Sequence, residues 1–154
     1  MRVLVVVAVL LGLGLVAEGG AWRIGISLGG THLAGIFLEY RLGEVGVLAS
    51  LGSAVPWELS DLSLAFQLRR YLGEAAPAAY LGLGGWAFLV RGGDSWGWLT
   101  ALDAAAGVEW PLEEDRAWEL GVMLHYFLYA FWQGEARFNF RTLILPTLAF
   151  KWAP

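Results

Sequence analysis

Side chains able to do chemistry are scarce in this chain, and their spacing matters more than their number. Histidine occurs twice, at His32 and His125, and cysteine is absent, which removes disulfides, thiolate metal sites and cysteine nucleophiles together. A general base needs a nucleophile or substrate within hydrogen-bond reach, and His125-Tyr126-Phe127 places no serine beside the ring. His32 follows Gly29-Gly30-Thr31, a turn sequence, and is expected at the surface. Glu113-Glu114-Asp115 has oxygen donors for weak divalent-cation contact but reads as a solvated acidic turn. Gly82-Leu83-Gly84-Gly85 lacks both the spacing and the strand-to-helix setting of a phosphate-binding loop, and reads as wall curvature or close packing. No enzyme activity, cofactor or metal is expected. Ten Lys and Arg against fourteen Asp and Glu give a net charge of -4, with no basic run to neutralise phosphates, so nucleic acid is not an expected partner.

The remaining polar side chains stand singly between apolar neighbours. Arg23, Glu39, Arg41, Gln67, Arg69, Asp103, Glu109, Glu119, His125 and Lys151 each occupy one phase of a two-residue alternation whose other phase is Leu, Val, Ile, Trp and Phe. A period of two is the strand signature. It runs through eight segments, roughly 21–29, 32–42, 45–53, 61–72, 78–91, 96–112, 117–132 and 138–153, joined by connections short enough for antiparallel hairpins. In the fifth the apolar and Gly content is too high to assign the faces. Elsewhere the second face is built of Gly, Ala and Ser with isolated charges, which is too small-featured for a solvated face and fits the crowded concave side of a narrow barrel. The apolar face then looks outward, and His125 faces inward near Glu119, Asp103 and Met123.

The expected fold is therefore all-β, an eight-stranded antiparallel up-and-down transmembrane β-barrel. The chain is 154 residues, 58% hydrophobic and 16% charged, yet beyond its first seventeen residues no run of about eighteen apolar residues could form a spanning helix. Strands of about nine to eleven residues suffice for a barrel, and closure leaves no backbone edge to be unpaired in hydrocarbon. Met1-Arg2, the apolar run Val3 to Val16 and the small residues Ala17 and Gly19 read as a secretory signal over residues 1–19, with an alternative cut after Ala21. Residues 20–154 are then the barrel domain, in the cell outer membrane with both termini periplasmic.

With that orientation Trp22, Tyr40, Trp110, Trp118, Phe150 and Trp152 fall at the periplasmic ends of strands. Trp57, Trp96, Trp98 and Trp132 fall near the other rim, together with Phe131, Phe138 and Phe140. These read as two aromatic girdles at headgroup depth. The inward charges are four bases, Arg23, Arg41, Arg69 and Lys151, against four acids, Glu39, Asp103, Glu109 and Glu119. A narrow lumen cannot hold such charges unpaired, so an internal network that plugs the barrel is expected, with a cluster in its periplasmic half. No connection is long; Gln133 to Arg137 is the best candidate for an exposed contact.

This pattern resembles the small eight-stranded outer-membrane barrels, the group of the outer membrane protein A transmembrane domain and outer membrane protein X. The resemblance covers Trp22 to Trp152 and is one of pattern, with Leu148, Phe150 and Trp152 similar to the aromatic last strand that barrel-assembly machinery reads in that group; here Ala153-Pro154 follow it. It implies structural or adhesion roles and supplies no active site; a non-enzymatic, monomeric barrel with a structural or envelope-integrity role is expected, whose partners are outer-membrane lipid and the assembly machinery. Three alternatives stay open: a channel for small or hydrophobic compounds, as in outer membrane protein W, to which Phe37 and Leu48 on the inner face leave room; a secreted lipocalin-like barrel with the faces reversed; and a lipid A-modifying barrel enzyme. The last is disfavoured because neither His32-Leu33-Ala34 nor His125-Tyr126-Phe127 has the Ser of the His-x-Ser motif.

Overall fold

The structure, a computed structural model, describes residues 20–57, 60–73, 76–132, 134–138 and 141–154, with backbone alone at 137 and 138. The expected signal segment 1–19 lies outside the described residues, as do Gln133, Asn139 and Phe140. The strands are β1 (Ala21–Gly29), β2 (His32–Leu42), β3 (Val45–Ser53), β4 (Asp61–Leu72), β5 (Ala78–Gly92), β6 (Ser95–Glu113), β7 (Arg116–Trp132), β8 (Glu135–Phe138) and β9 (Thr142–Trp152). Consecutive strands from β1 to β7 pair antiparallel, and β9 pairs with both β7 and β1. β8 also pairs with β7, beyond the end of β9, so β8 and β9 are two pieces of one wall strand. The result is a closed eight-stranded antiparallel β-barrel. The segment expected at 138–153 begins three residues earlier and is interrupted between β8 and β9.

The register sets the barrel's dimensions. A row of paired residues runs from Trp152 through Ile24, Leu38, Ala49, Phe66, Gly85, Leu102 and Tyr126, and returns to β9 at Thr142, ten positions from its start. Eight strands with that stagger tilt by about 40° to the axis. Each residue then rises about 2.5 Å along the axis, and each step along a paired row climbs by a little over one residue. The end carrying Trp22 and Trp152, here the basal end, is close to level. At the opposite, distal end the tips of β5, β6 and β7 stand about 15 Å above those of β1 to β3.

Alternation separates the faces cleanly over most of the wall. Outward Ile36, Leu83, Leu102, Leu120, Val122 and Ile144 are all exposed, whereas inward Phe37, Glu39, Gln67, Asp103, Glu119 and Lys151 are buried. On β5, the strand that resisted assignment, Tyr80 is buried beside Ala78, Trp86 points inward to Ser63, and Leu81 and Leu83 point out. Among the described residues the register slips beside two turns, at Leu28/Gly29 and at Pro111/Glu113, and once within the wall, on β7: Phe127 pairs with Ala101 and Tyr129 with Thr100, leaving Leu128 as an extra residue. Beyond that bulge the inward residues are Ala130 and Trp132.

The β1–β2 turn does not stand clear of the wall. Gly29 and Gly30 adopt φ of 77° and 67°, and a Cβ on Gly30 would lie 2.6 Å from the Met123 sulfur. Gly30 N donates to the Pro146 carbonyl at 2.9 Å, and Thr31 and His32 are buried. The hairpin tip is folded over the lumen, a position that requires both the left-handed backbone and the missing side chains. Gly30→Ala is expected to cost about 1–2 kcal/mol in denaturant titration; a neutral result would mean that the tip is not held in place.

Candidate functional site

Among the described residues both histidines and the buried charges lie inside the barrel, in two layers. The basal layer is an ion-pair network built from six strands. Lys151 on β9, with no exposed surface, lies 2.9 Å from Glu39 on β2 and 3.1 Å from Glu119 on β7, and forms an ion pair with Glu109 on β6. Arg69 on β4 binds Glu119 at 2.7 Å, and its Nε donates to Gln67 Oε1 at 3.0 Å. Arg23 and Arg41, at the basal mouth, reach Glu109 at 2.6 and 3.4 Å. Glu109 Oε2 meets Lys151 as an ion pair without directed hydrogen-bond geometry.

Two tyrosines complete this layer. Tyr71 donates to Glu39, Tyr80 donates to Glu119 at 2.7 Å, and their rings lie under the guanidinium groups of Arg41 and Arg69 at 3.8 and 4.5 Å. Space for Tyr80 comes from glycine: a Cβ at Gly107 or Gly121 would lie 2.6 or 2.7 Å from the Tyr80 hydroxyl oxygen. Sequence reasoning missed both rings, although Tyr71 continues the inward alternation of Gln67 and Arg69 by one step. Tyr80 lies on β5, whose faces the sequence left open.

The distal layer holds both histidines. His32, expected at the surface, is buried, because its hairpin tip bends inward. Its Nδ1 lies 2.7 Å from Ser63 Oγ and its Nε2 2.9 Å from Ser50 Oγ. Ser63 Oγ also donates to the Thr31 carbonyl at 2.8 Å and accepts from Trp86 Nε1 at 2.6 Å. A hydroxyl has one proton, so with that proton on the Thr31 carbonyl the His32 Nδ1 is the donor to Ser63, and Nε2 accepts from Ser50. Toward Ser63 this polarity is the reverse of what a histidine base acting on a serine nucleophile requires.

His125 Nδ1 lies 2.7 Å from Asp103 Oδ1, and its ring packs 4.9 Å from Trp86. The expected grouping of His125 with Glu119 is corrected: Glu119 belongs to the basal network, and Asp103 is the carboxylate at His125. The even balance of four bases and four acids is therefore not one cluster. The basal layer holds the four bases with three acids, and Asp103 stands above them. Gln67 Nε2, Asp103 Oδ2 and His125 Nε2 are buried without a hydrogen-bond partner among the described residues. Between the layers, Ser27, Thr31, Phe37, Ser50, Met123 and Thr147 line a cavity of about 20 Å³, room for roughly one water. Among the described residues no three His, Asp or Glu side chains are grouped to hold a metal.

The aromatic residues sort by end. At the basal end Trp22 packs on Tyr40 at 4.9 Å, Trp118 on Phe150 at 5.0 Å and Phe150 on Trp152 at 5.9 Å, while Trp110 pairs with Trp118 across β6 and β7. At the distal end Trp98 packs on Phe131 at 5.9 Å, and Trp96 and Trp98 are exposed on the outer face. Trp57 is 71% exposed in the β3–β4 connection. Trp132, expected among the outer aromatics, lies on the inner face over Gly97 and Gly92, because the β7 bulge reverses the phase before it is reached. A scan against protein-family models finds none that matches the chain, and a search of curated proteins finds no match either.

Proposed function

We propose that the chain is an integral outer-membrane β-barrel, non-enzymatic and structural, whose lumen is plugged by the basal ion network. The observation that carries this reading is the inversion of the barrel. Charged and polar side chains are buried inside, while Leu83 at 70%, Ile144 at 66% and Ile36 at 58% exposure are among many large apolar residues turned outward. In water such a surface would far exceed the apolar patches that soluble monomers present; in hydrocarbon it is the favourable surface, and strand pairing satisfies the backbone. The spacing of the aromatic bands supports the same reading. Trp98 and Trp110 on β6 are twelve residues apart, about 30 Å along the axis at this tilt, close to the span between bilayer interfaces. A lipocalin-like role is less well supported, since that fold keeps its apolar face inward. The role assigned to the plug is to hold the wall in shape and deny passage to solutes.

Partition tests this directly. Residues 20–154, refolded by dilution of urea, are expected to be recovered folded with detergent micelles or lipid vesicles and to aggregate in buffer alone. A monodisperse folded protein in detergent-free buffer would overturn the membrane assignment.

A further inference from the structure

We propose that the distal half of the lumen is a binding site for a single hydrocarbon chain of a membrane lipid, which enters sideways over the low rim formed by β1 to β3. This rests on the membrane reading above and extends it. Three features of the wall support it.

The first is the uneven height. On the tall side the outward Trp98 and Phe131 mark an upper aromatic level, whereas the tips of β1 to β3 end about 15 Å lower on the axis. With the basal aromatics at one interface, that low rim lies at the depth of the opposite leaflet. The second is continuity of the pairing. β1 accompanies β9 only from Trp152 to Thr147, and above that level Thr142 to Pro146 pair with β7 alone. The gap is bounded by a short edge in which Pro146 has no N–H to satisfy and gives its carbonyl to Gly30 N.

The third is the chemistry of the face behind the gap. Above Trp86, Ala101 and Phe127, the inner residues of β5, β6 and β7 carry no charge, and Phe88, Val90, Leu99, Ala130 and Trp132 form the surface; charge at this level stands at its flanks, Glu135 opposite Trp132 on β8 and Asp61 opposite Val90 on β4, where the Asp61 carboxylate accepts from Ser53 Oγ and from the Ala54 and Val55 N–H groups. These side chains are partly exposed, whereas their counterparts in the basal layer are mostly buried. Below them the inward-bent tip at Gly30 to His32 with Ser63 and Trp86 forms a floor, so a chain can enter but not pass through. The same apolar character continues over the low rim through the exposed Leu33 at the β2 tip to Leu28 and Leu51, both exposed on the outer face. A hydrocarbon chain could thus move from the leaflet to the vestibule without crossing water, and its burial there is favoured in proportion to the apolar area covered.

The chain has no cysteine, so one introduced thiol is unique. Leu99→Cys places a small fluorophore on the inner face of the tall wall, and Leu102→Cys places it on the outer face of the same strand. Both are reconstituted in nanodiscs of phosphatidylcholine in which part of the lipid carries a nitroxide on its acyl chain. The Leu99→Cys label is expected to lose fluorescence to the chain nitroxide as strongly as the Leu102→Cys label, and to be shielded from aqueous iodide. If the inner label is quenched by iodide and not by the nitroxide while the outer label still is, the vestibule is water-filled and the proposal falls, leaving the membrane reading intact. If neither label responds to the nitroxide, the membrane reading falls and takes the proposal with it. Ala130→Cys, on the same face of β7, supplies the measurement should the label at Leu99 prevent folding.

Discussion

Lys151→Met will destabilise the barrel by about 3–5 kcal/mol, although a count of charges argues for no effect. The basal layer contains Arg23, Arg41, Arg69 and Lys151 against Glu39, Glu109 and Glu119, so removing one base leaves formal balance. Geometry decides otherwise. Glu119 keeps Arg69 and Tyr80, and Glu109 keeps Arg23 and Arg41, but Glu39 is left with Tyr71 as its hydrogen-bond donor. Glu39 has no exposed surface, so water cannot replace the lost ammonium. An uncompensated buried carboxylate is among the few single changes that cost several kcal/mol. Methionine fills similar volume, which separates charge from packing. Urea titration of vesicle-reconstituted protein reads the loss, and Lys151→Met combined with Glu39→Gln should recover most of it. A single variant within about 1 kcal/mol of the parent would show that the network is hydrated and does not plug the lumen. A double variant no more stable than the single would assign the loss to packing.

The sequence announced the strands because alternation is local: each residue's face is fixed by its neighbours two positions away, and the turn residues bound the segments. β1 to β4 carry the expected bounds, and β5 to β7 differ by a residue at most at either end. The same locality placed Arg23, Glu39, Arg69, Glu119 and Lys151 on the inner face, where the structure brings them together. What alternation cannot encode is where the phase slips or where a turn leaves the wall. The extra Leu128 moves Trp132 to the inside, and the left-handed Gly29-Gly30 tip carries His32 into the lumen. Both depend on contacts across the barrel, with Ala101 in one case and with Met123, Pro146 and Ser63 in the other. Partners were illegible for the same reason. Asp103 pairs with His125 because β6 and β7 set them opposite one another. Glu119 shares the inner face of β7 with His125 but lies nearer the basal end, where Arg69 and Lys151 draw it into their network.

Val122→Arg tests the other half of the inversion, the outward face. Val122 lies on β7 opposite Ala106 and Pro146, is 50% exposed, and stands near mid-height between the levels of Trp110 and Trp98 on β6. A guanidinium there would face hydrocarbon if the barrel spans a bilayer, at a cost of about 2–4 kcal/mol at the midplane and about 0–1 kcal/mol near an interface. The matched control is Trp118→Arg, four residues nearer the basal end, corrected for the lost aromatic surface by Trp118→Leu. In water the order reverses: arginine at an exposed outer position of a soluble barrel is close to neutral, and it would improve solubility by interrupting an apolar patch. The sign of the Val122→Arg effect therefore separates the two environments, independently of any activity. Measured by urea unfolding in vesicles, a loss that is large at Val122 and small at Trp118 supports a bilayer centred between the aromatic bands. Equal losses at both depths would contradict it. So would a neutral Val122→Arg, which would return the exposed leucines and isoleucines to water and leave the buried network as the interior of a soluble barrel.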